Sequence, residues 1–108
     1  MRAHKVFLAP FAEHDIEGIL AYLDHREPPG RSDEVQRRFE NLVRSLETSP
    51  SRGRIVPEAR LIGLTDYREV FYGPYRLIYY IAARTVNVVA VLDGRRDLHS
   101  VLADRLLR

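Results

Sequence analysis

The feature that most constrains the fold is a change of hydrophobic period partway along the chain. Ala12, Ile16, Ile19, Leu20 and Leu23 fall at offsets 0, 4, 7, 8 and 11, one apolar stripe on a helix of about 3.6 residues per turn. Val35, Phe39, Leu42, Val43 and Leu46 repeat the same offsets. Beyond residue 66 the pattern turns strand-like. Runs at 67–72 (YREVFY), 75–82 (YRLIYYIA) and 86–92 (VNVVAVL) are rich in β-branched and aromatic residues, and each reads as a strand. Helical stripes in one half and strands in the other bury their apolar sides only by packing together.

Local signals set the boundaries. A short strand over 4–9, with Val6, Phe7 and Leu8, leads into Pro10, which suits a first helical position because its missing N–H costs nothing there. Glu13, Asp15 and Glu17 favour the start of that helix against its dipole, and Pro28-Pro29-Gly30 ends it. Ser32 is the predicted N-cap of the second helix, with Asp33 and Glu34 in its first turn; Pro50 and Gly53 stop it. Residues 54–66, interrupted by Pro57 and Gly63, read as an irregular connection with one short strand. Gly73-Pro74 is a two-residue hairpin signal, and Ala83-Arg84-Thr85 joins the last two strands. Asp97 is placed to cap a closing helix with Leu98, Val101, Leu102 and Leu106 on one face. The expected fold is α+β: an N-terminal strand, then a helical hairpin packed on a small, mainly antiparallel sheet. In order it reads β-α-α-β-β-β with a short C-terminal helix, as one domain over residues 1–108.

Composition removes several classes of chemistry. With no cysteine among 108 residues, a disulfide scaffold, a thiolate metal site, an iron–sulfur cluster and a cysteine nucleophile are excluded. His4, His14, His25 and His99 never fall at the H-x₃-H or H-E-x-x-H spacings that present two ligands together, so neither a metal nor a cofactor is expected. Gly53, Gly63 and Gly73 read as turn residues, and no glycine pattern forms a phosphate-cradling loop. No apolar run approaches the roughly 20 residues of a membrane span. Val6–Ala9 is too short for a signal-peptide core, and the expected location is the cytoplasm.

The basic residues carry more information. Sixteen of the 17 are arginine, with Lys5 the exception. Residues 1–53 hold 8 basic and 9 acidic groups, a net of −1; residues 54–108 hold 9 and 6, a net of +3. Within 75–82, Tyr75, Leu77, Tyr79 and Ile81 form the more apolar set and are expected to face the hairpin. Arg76 and Tyr80 are then expected on the opposite, accessible face, joined by Arg68 and Tyr72 if the hairpin register permits. Such a face takes phosphates by charge and bases by stacking; alternatively its arginines pair with Glu69, Asp93 or Asp97.

Several stretches are shared with a known family. They are Pro10-x-Ala12-x-x-x-Asp15-Ile16-x-x-Ile19-x-x-Tyr22-Leu23, Ser49-Pro50-x-x-Gly53-Arg54, Tyr75-Arg76-Leu77-Ile78-Tyr79 and Val91-Leu92-Asp93-Gly94-Arg95-Arg96-Asp97. In order and spacing, from about residue 4 to 100, the chain resembles the RelE/ParE toxins of bacterial type II toxin–antitoxin modules. The resemblance implies a cognate antitoxin as partner, with operator DNA met only through it, and no membrane. RelE-like members are ribosome-dependent mRNA endoribonucleases; ParE-like members poison DNA gyrase. On a ParE-like reading the target-binding residues are Arg68, Arg76, Tyr80, Arg95 and Arg96, and none is catalytic. On the alternative nuclease reading Arg68, Arg76 and Arg96 hold the phosphate and His99 serves as acid or base, with ribosome and mRNA as partners. A third reading is a remnant that binds its antitoxin without toxicity. The nuclease branch carries a late tyrosine where this chain has Val101-Leu102, and no tyrosine follows Tyr80. Arginine stays charged at ordinary pH and shuttles protons poorly. The missing tyrosine, the long hairpin and the GRRD ending favour the gyrase branch.

Overall fold

A computed structural model describes residues 3–26, 29–94 and 96–106. Strand β1 (Lys5–Leu8) leads into α1 (Pro10–Arg26) and α2 (Arg31–Thr48). A 3₁₀ turn (Pro50–Arg52), β2 (Arg54–Ile55) and a short helix, α3 (Pro57–Leu61), follow. The meander β3 (Arg68–Tyr72), β4 (Tyr75–Ala82) and β5 (Thr85–Asp93) comes next, and α4 (Leu98–Leu106) closes the chain. The strands form one five-stranded sheet in the order β1-β5-β4-β3-β2. Only the β1–β5 pair is parallel. The α+β architecture therefore stands as the sequence predicts, and among the described residues no helix is long and apolar enough to cross a membrane.

The hairpin covers one sheet face for the reason its stripes exist. Ala12, Leu23, Val35, Phe39 and Leu46 are buried against Val70, Leu77, Tyr79, Val86, Val88 and Val91. Phe39 meets Tyr72 and Tyr75 edge-on, at ring separations of 6.3 and 5.4 Å, the favoured geometry of aromatic pairs. Between β4 and β5 the register shifts at Ile78/Tyr79, so that Ile78 opposes Ala90 and Tyr79 opposes Val88. Val89 is the extra residue of this bulge. It reverses the alternation of β5, which lets both Val88 and Val91 reach the hairpin side.

Three expectations need correction. The second helix is entered through Gly30, whose φ of 90° is left-handed, with no side-chain cap; Ser32 instead donates its hydroxyl to Asp24 across the hairpin. The stretch 54–66 is not merely irregular, because Pro57 and Glu58 start α3 in the positions proline and acid favour. Most consequentially, the second sheet face is not open along its length. Ile78, Ala90 and Leu92 are buried there beneath Val56, Ala59, Leu98 and Leu102. The alternation in β4 is as expected, but α3 and α4 form a third layer over it. Asp97 does start α4: its carboxylate accepts the Ser100 N–H at 3.4 Å and the Ser100 hydroxyl at 2.8 Å.

Candidate functional site

Arg76 lies where β4 passes beneath α3, and it is only 8% exposed. Its Nε donates to Glu69 Oε1 at 2.7 Å. Its Nη1 and Nη2 donate to the two oxygens of Glu58 at 2.7 and 2.9 Å. Glu69, on β3, has a side chain with 0% exposure and also accepts Arg54 Nε at 2.7 Å. The result is an alternating chain Arg54–Glu69–Arg76–Glu58 in which every buried charge has a partner. The Arg76 hydrogen bond holds the Glu58 carboxyl down at about 2, against an ordinary value of 4.5, with smaller help from its own backbone N–H and from the charges of Arg76 and His99. Reciprocally, the bond to Glu58 raises Arg76 above its ordinary value. Of the pairings the sequence offered Arg76, Glu69 is one that forms. Glu58 was missed because α3 was missed, although a proline followed by an acid marks a helix start.

The other predicted site residues do not gather around Arg76. Tyr72 pairs with Tyr75 across the turn, so Arg68 pairs with Tyr79. That register puts Arg68 and Tyr72 on the hairpin side of the sheet, away from Arg76, so the condition for their sharing its face is not met. Arg68 Nη1 donates to the carbonyls of Gly53 and Ser51 at 2.8 and 3.4 Å. Beside it the Tyr79 hydroxyl donates to Pro50 O at 2.6 Å and accepts the Gly53 N–H at 3.0 Å. Burial pushes the Tyr79 phenol up. Tyr80 shares a face with Arg76 but sits four residues along the strand, about 13 Å away, with its ring against Tyr67 at 5.4 Å. Arg95 lies outside the described residues. Arg96 is exposed after the β5 turn, and His99 is exposed in the first turn of α4.

Arg96 stands on a groove of about 750 Å³ between α1 and the end of the β4–β5 hairpin. Its floor includes Ile19, Leu23 and Val91, and His14, Asp93 and Arg96 lie around it. Asp15 at this groove is a residue whose role sequence reasoning missed. Its Oδ2 accepts the Val91 N–H at 3.0 Å, next to the bulge, and its two oxygens take the Arg105 fork at 2.6 and 2.8 Å. Arg105 also lies 4.8 Å over the Phe11 ring. One carboxylate thus ties α4 to α1 and β5. The sequence signals were its place in the shared stretch from Pro10 to Leu23 and its position one helical turn before Ile19, which reads equally well as a dipole partner.

Arg76 is thus neutralised by two carboxylates, while Arg96 is exposed at the groove.

Comparison with known proteins agrees with the fold. Among curated sequences none matches the chain significantly. The solved chromosomal ParDE toxin–antitoxin system of P. aeruginosa superposes with a TM-score of 0.66 at 11% identity, covering 82% of this chain and 94% of that one. The RelBE2 toxin–antitoxin complex of Mycobacterium tuberculosis gives a TM-score of 0.54 at 22% identity, covering 82% and 95%. Residues 6–98 match the family model of the ParE toxin of type II toxin–antitoxin systems, parDE. The match runs from the second residue of β1 to the first residue of α4, and the chain belongs to the ParE toxin family.

Proposed function

We propose that this toxin acts in the cytoplasm by inhibiting DNA gyrase, performs no covalent chemistry of its own, and is neutralised by a cognate antitoxin. The observation that carries the gyrase reading is the fate of Arg76. A ribonuclease of this fold needs a basic group on the sheet free to meet a developing phosphate charge. Here the guanidinium spends its fork on Glu58 and its Nε on Glu69. The absence of any tyrosine after Tyr80 points the same way. Arg96, exposed beside the α1–β5 groove, and Arg95 next to it are the target contacts in this reading. The antitoxin partner is supported by the family and by the toxin–antitoxin complexes that share the fold.

The test is a supercoiling assay with purified toxin and gyrase, run beside a programmed-ribosome cleavage assay. Loss of supercoiling with accumulation of cleaved DNA, and intact mRNA, is the expected result. Cleavage of ribosome-bound mRNA with normal supercoiling would overturn the proposal in favour of the nuclease reading.

A further inference from the structure

The third layer of helices leaves one end of the second sheet face uncovered. At that end the register builds a single rung across four chain segments. Phe7 of β1 pairs with Asn87 of β5, and Asn87 with Tyr80 of β4. Tyr67, one residue before β3, packs edge-on against Tyr80 at 5.4 Å and an interplanar angle of 71°. Phe7 is 54% exposed, and Asn87, Tyr80 and Tyr67 are each half-buried. At three inter-strand steps the rung spans about 14 Å. Aromatic rings on a sheet face of this width are a platform on which bases stack.

The charges beside the rung favour a polyanion. Lys5 lies on the same face one rung away, and its backbone N–H donates to the carbonyl of Arg84 in the β4–β5 turn at 3.0 Å. Both side chains are exposed and neither forms an ion pair among the described residues. The acid adjoining the rung, Asp66, stands at its opposite end, beside Tyr67. The Asn87 amide donates one N–H to the Thr85 carbonyl at 3.2 Å, which leaves its second N–H and its oxygen at the centre of the rung for a base edge. The platform is therefore built for ring faces, base edges and phosphate charge, contacts that single-stranded DNA supplies in full without a 2′-hydroxyl.

We infer that the Phe7–Asn87–Tyr80–Tyr67 rung, flanked by Lys5 and Arg84, binds single-stranded DNA by base stacking and phosphate contact. This surface lies at the far end of the strands from Arg76 and Arg96 and does not depend on the gyrase reading. Fluorescence anisotropy of a labelled oligo-dT with the full chain reads it directly, with binding expected at roughly 1–100 µM in low salt. Phe7→Ala and Tyr80→Leu should each weaken binding at least about fivefold, the lower end of one stacked base. Tyr80→Phe should keep it, and thermal denaturation checks that each variant is folded. Lys5→Glu with Arg84→Glu should flatten the salt dependence by about 1.4 log units per log unit of salt, two phosphate contacts on a single strand. Arg37→Glu, on the exposed side of α2, should change nothing.

Three results would overturn the inference. One is no binding in that range, and another is a loss with Arg37→Glu equal to that with the combined Lys5→Glu and Arg84→Glu change. The third is a concentration-dependent dimer that Phe7→Ala abolishes while oligo-dT leaves it intact. A tenfold preference for oligo-rU would overturn the assignment of DNA as occupant.

Discussion

Replacing Arg76 by methionine separates two meanings of a charged residue in a toxin: scaffold and contact. Methionine keeps most of the side-chain volume, so the change removes mainly the guanidinium. Breaking a buried pair by deleting one partner costs about 3–5 kcal/mol. Here the residual charges are partly relieved. Glu69 keeps Arg54 at 2.7 Å, and Glu58, with its side chain 28% exposed, can return to water. The expected loss is therefore about 2–4 kcal/mol. For a domain of this size that lowers the melting temperature by roughly 10–20 °C. Arg76→Lys, which cannot present a fork to Glu58 while reaching Glu69, should fall between the wild type and Arg76→Met. Arg96→Ala, at an exposed position, should change stability by less than about 0.5 kcal/mol. Thermal denaturation followed by circular dichroism measures all three. A supercoiling assay well below the Arg76→Met midpoint then asks what the folded variant does. It should still inhibit gyrase, whereas Arg96→Ala should lose most inhibition at full stability. An Arg76→Met variant that melts like the wild type yet inhibits nothing would refute this reasoning and make Arg76 a target contact.

Stability should fall with acid in a defined window. Glu58 has a folded value depressed to about 2 from 4.5, so its contribution is complete above pH 4.5 and disappears as the pH falls toward 2. Discounted for its contact with solvent it amounts to about 1–2 kcal/mol, and urea midpoints of Glu58→Gln should lack that part of the slope. Asp15→Asn strips the Arg105 fork of its charge partner; about 2 kcal/mol is the expected cost. Amide exchange in α4 should accelerate more than exchange in β4, and uniform acceleration would contradict the assigned role. Gly53→Ala places a Cβ 2.6 Å from the Tyr79 hydroxyl and 2.7 Å from the Glu69 carbonyl, a clash expected to cost about 1–3 kcal/mol. The double variant Gly53→Ala/Tyr79→Phe should lose less than the two single changes together, because the hydroxyl that clashes is gone; strict additivity would show that the clash lies elsewhere.

How far the structure was legible depended on the range of the interaction concerned. Strand β4 spans Tyr75–Ala82 as its alternation and the Gly73-Pro74 turn predict, and α1 begins at Pro10. Both are local patterns. The two-residue turn also contained the answer about Arg68: with Tyr72 opposite Tyr75, counting four residues outward on each strand pairs it with Tyr79. Helix α3 was hidden because five residues between a proline and a glycine are too few to show a period. The apolar side of α4 was visible, but nothing in Leu98, Val101 and Leu102 says which sheet face they cover. The burial of Arg76 escaped the sequence for the same reason, since its surroundings are set in part by a helix eighteen residues upstream. Of the residues expected on one accessible face with Arg76, Tyr80 alone lies at the uncovered end of that face, and its neighbours Phe7 and Tyr67 come from registers that no single strand displays.

The parallel pairing of β1 with β5 also bears on how the chain is made. Lys5 lies beside Thr85, and Asp15 grips Arg105 across 90 residues of sequence. A ribosome building this protein from its N-terminus delivers the helical hairpin early, but the hairpin's first strand has no neighbour until β5 emerges. Closing such a distant pairing carries a large loop-entropy cost and slows folding. The growing polypeptide therefore lacks its finished sheet until β5 has been made. A messenger cut ahead of the codons for β5 yields a fragment without the partner of β1, without the groove beside Arg96, and without the aromatic rung.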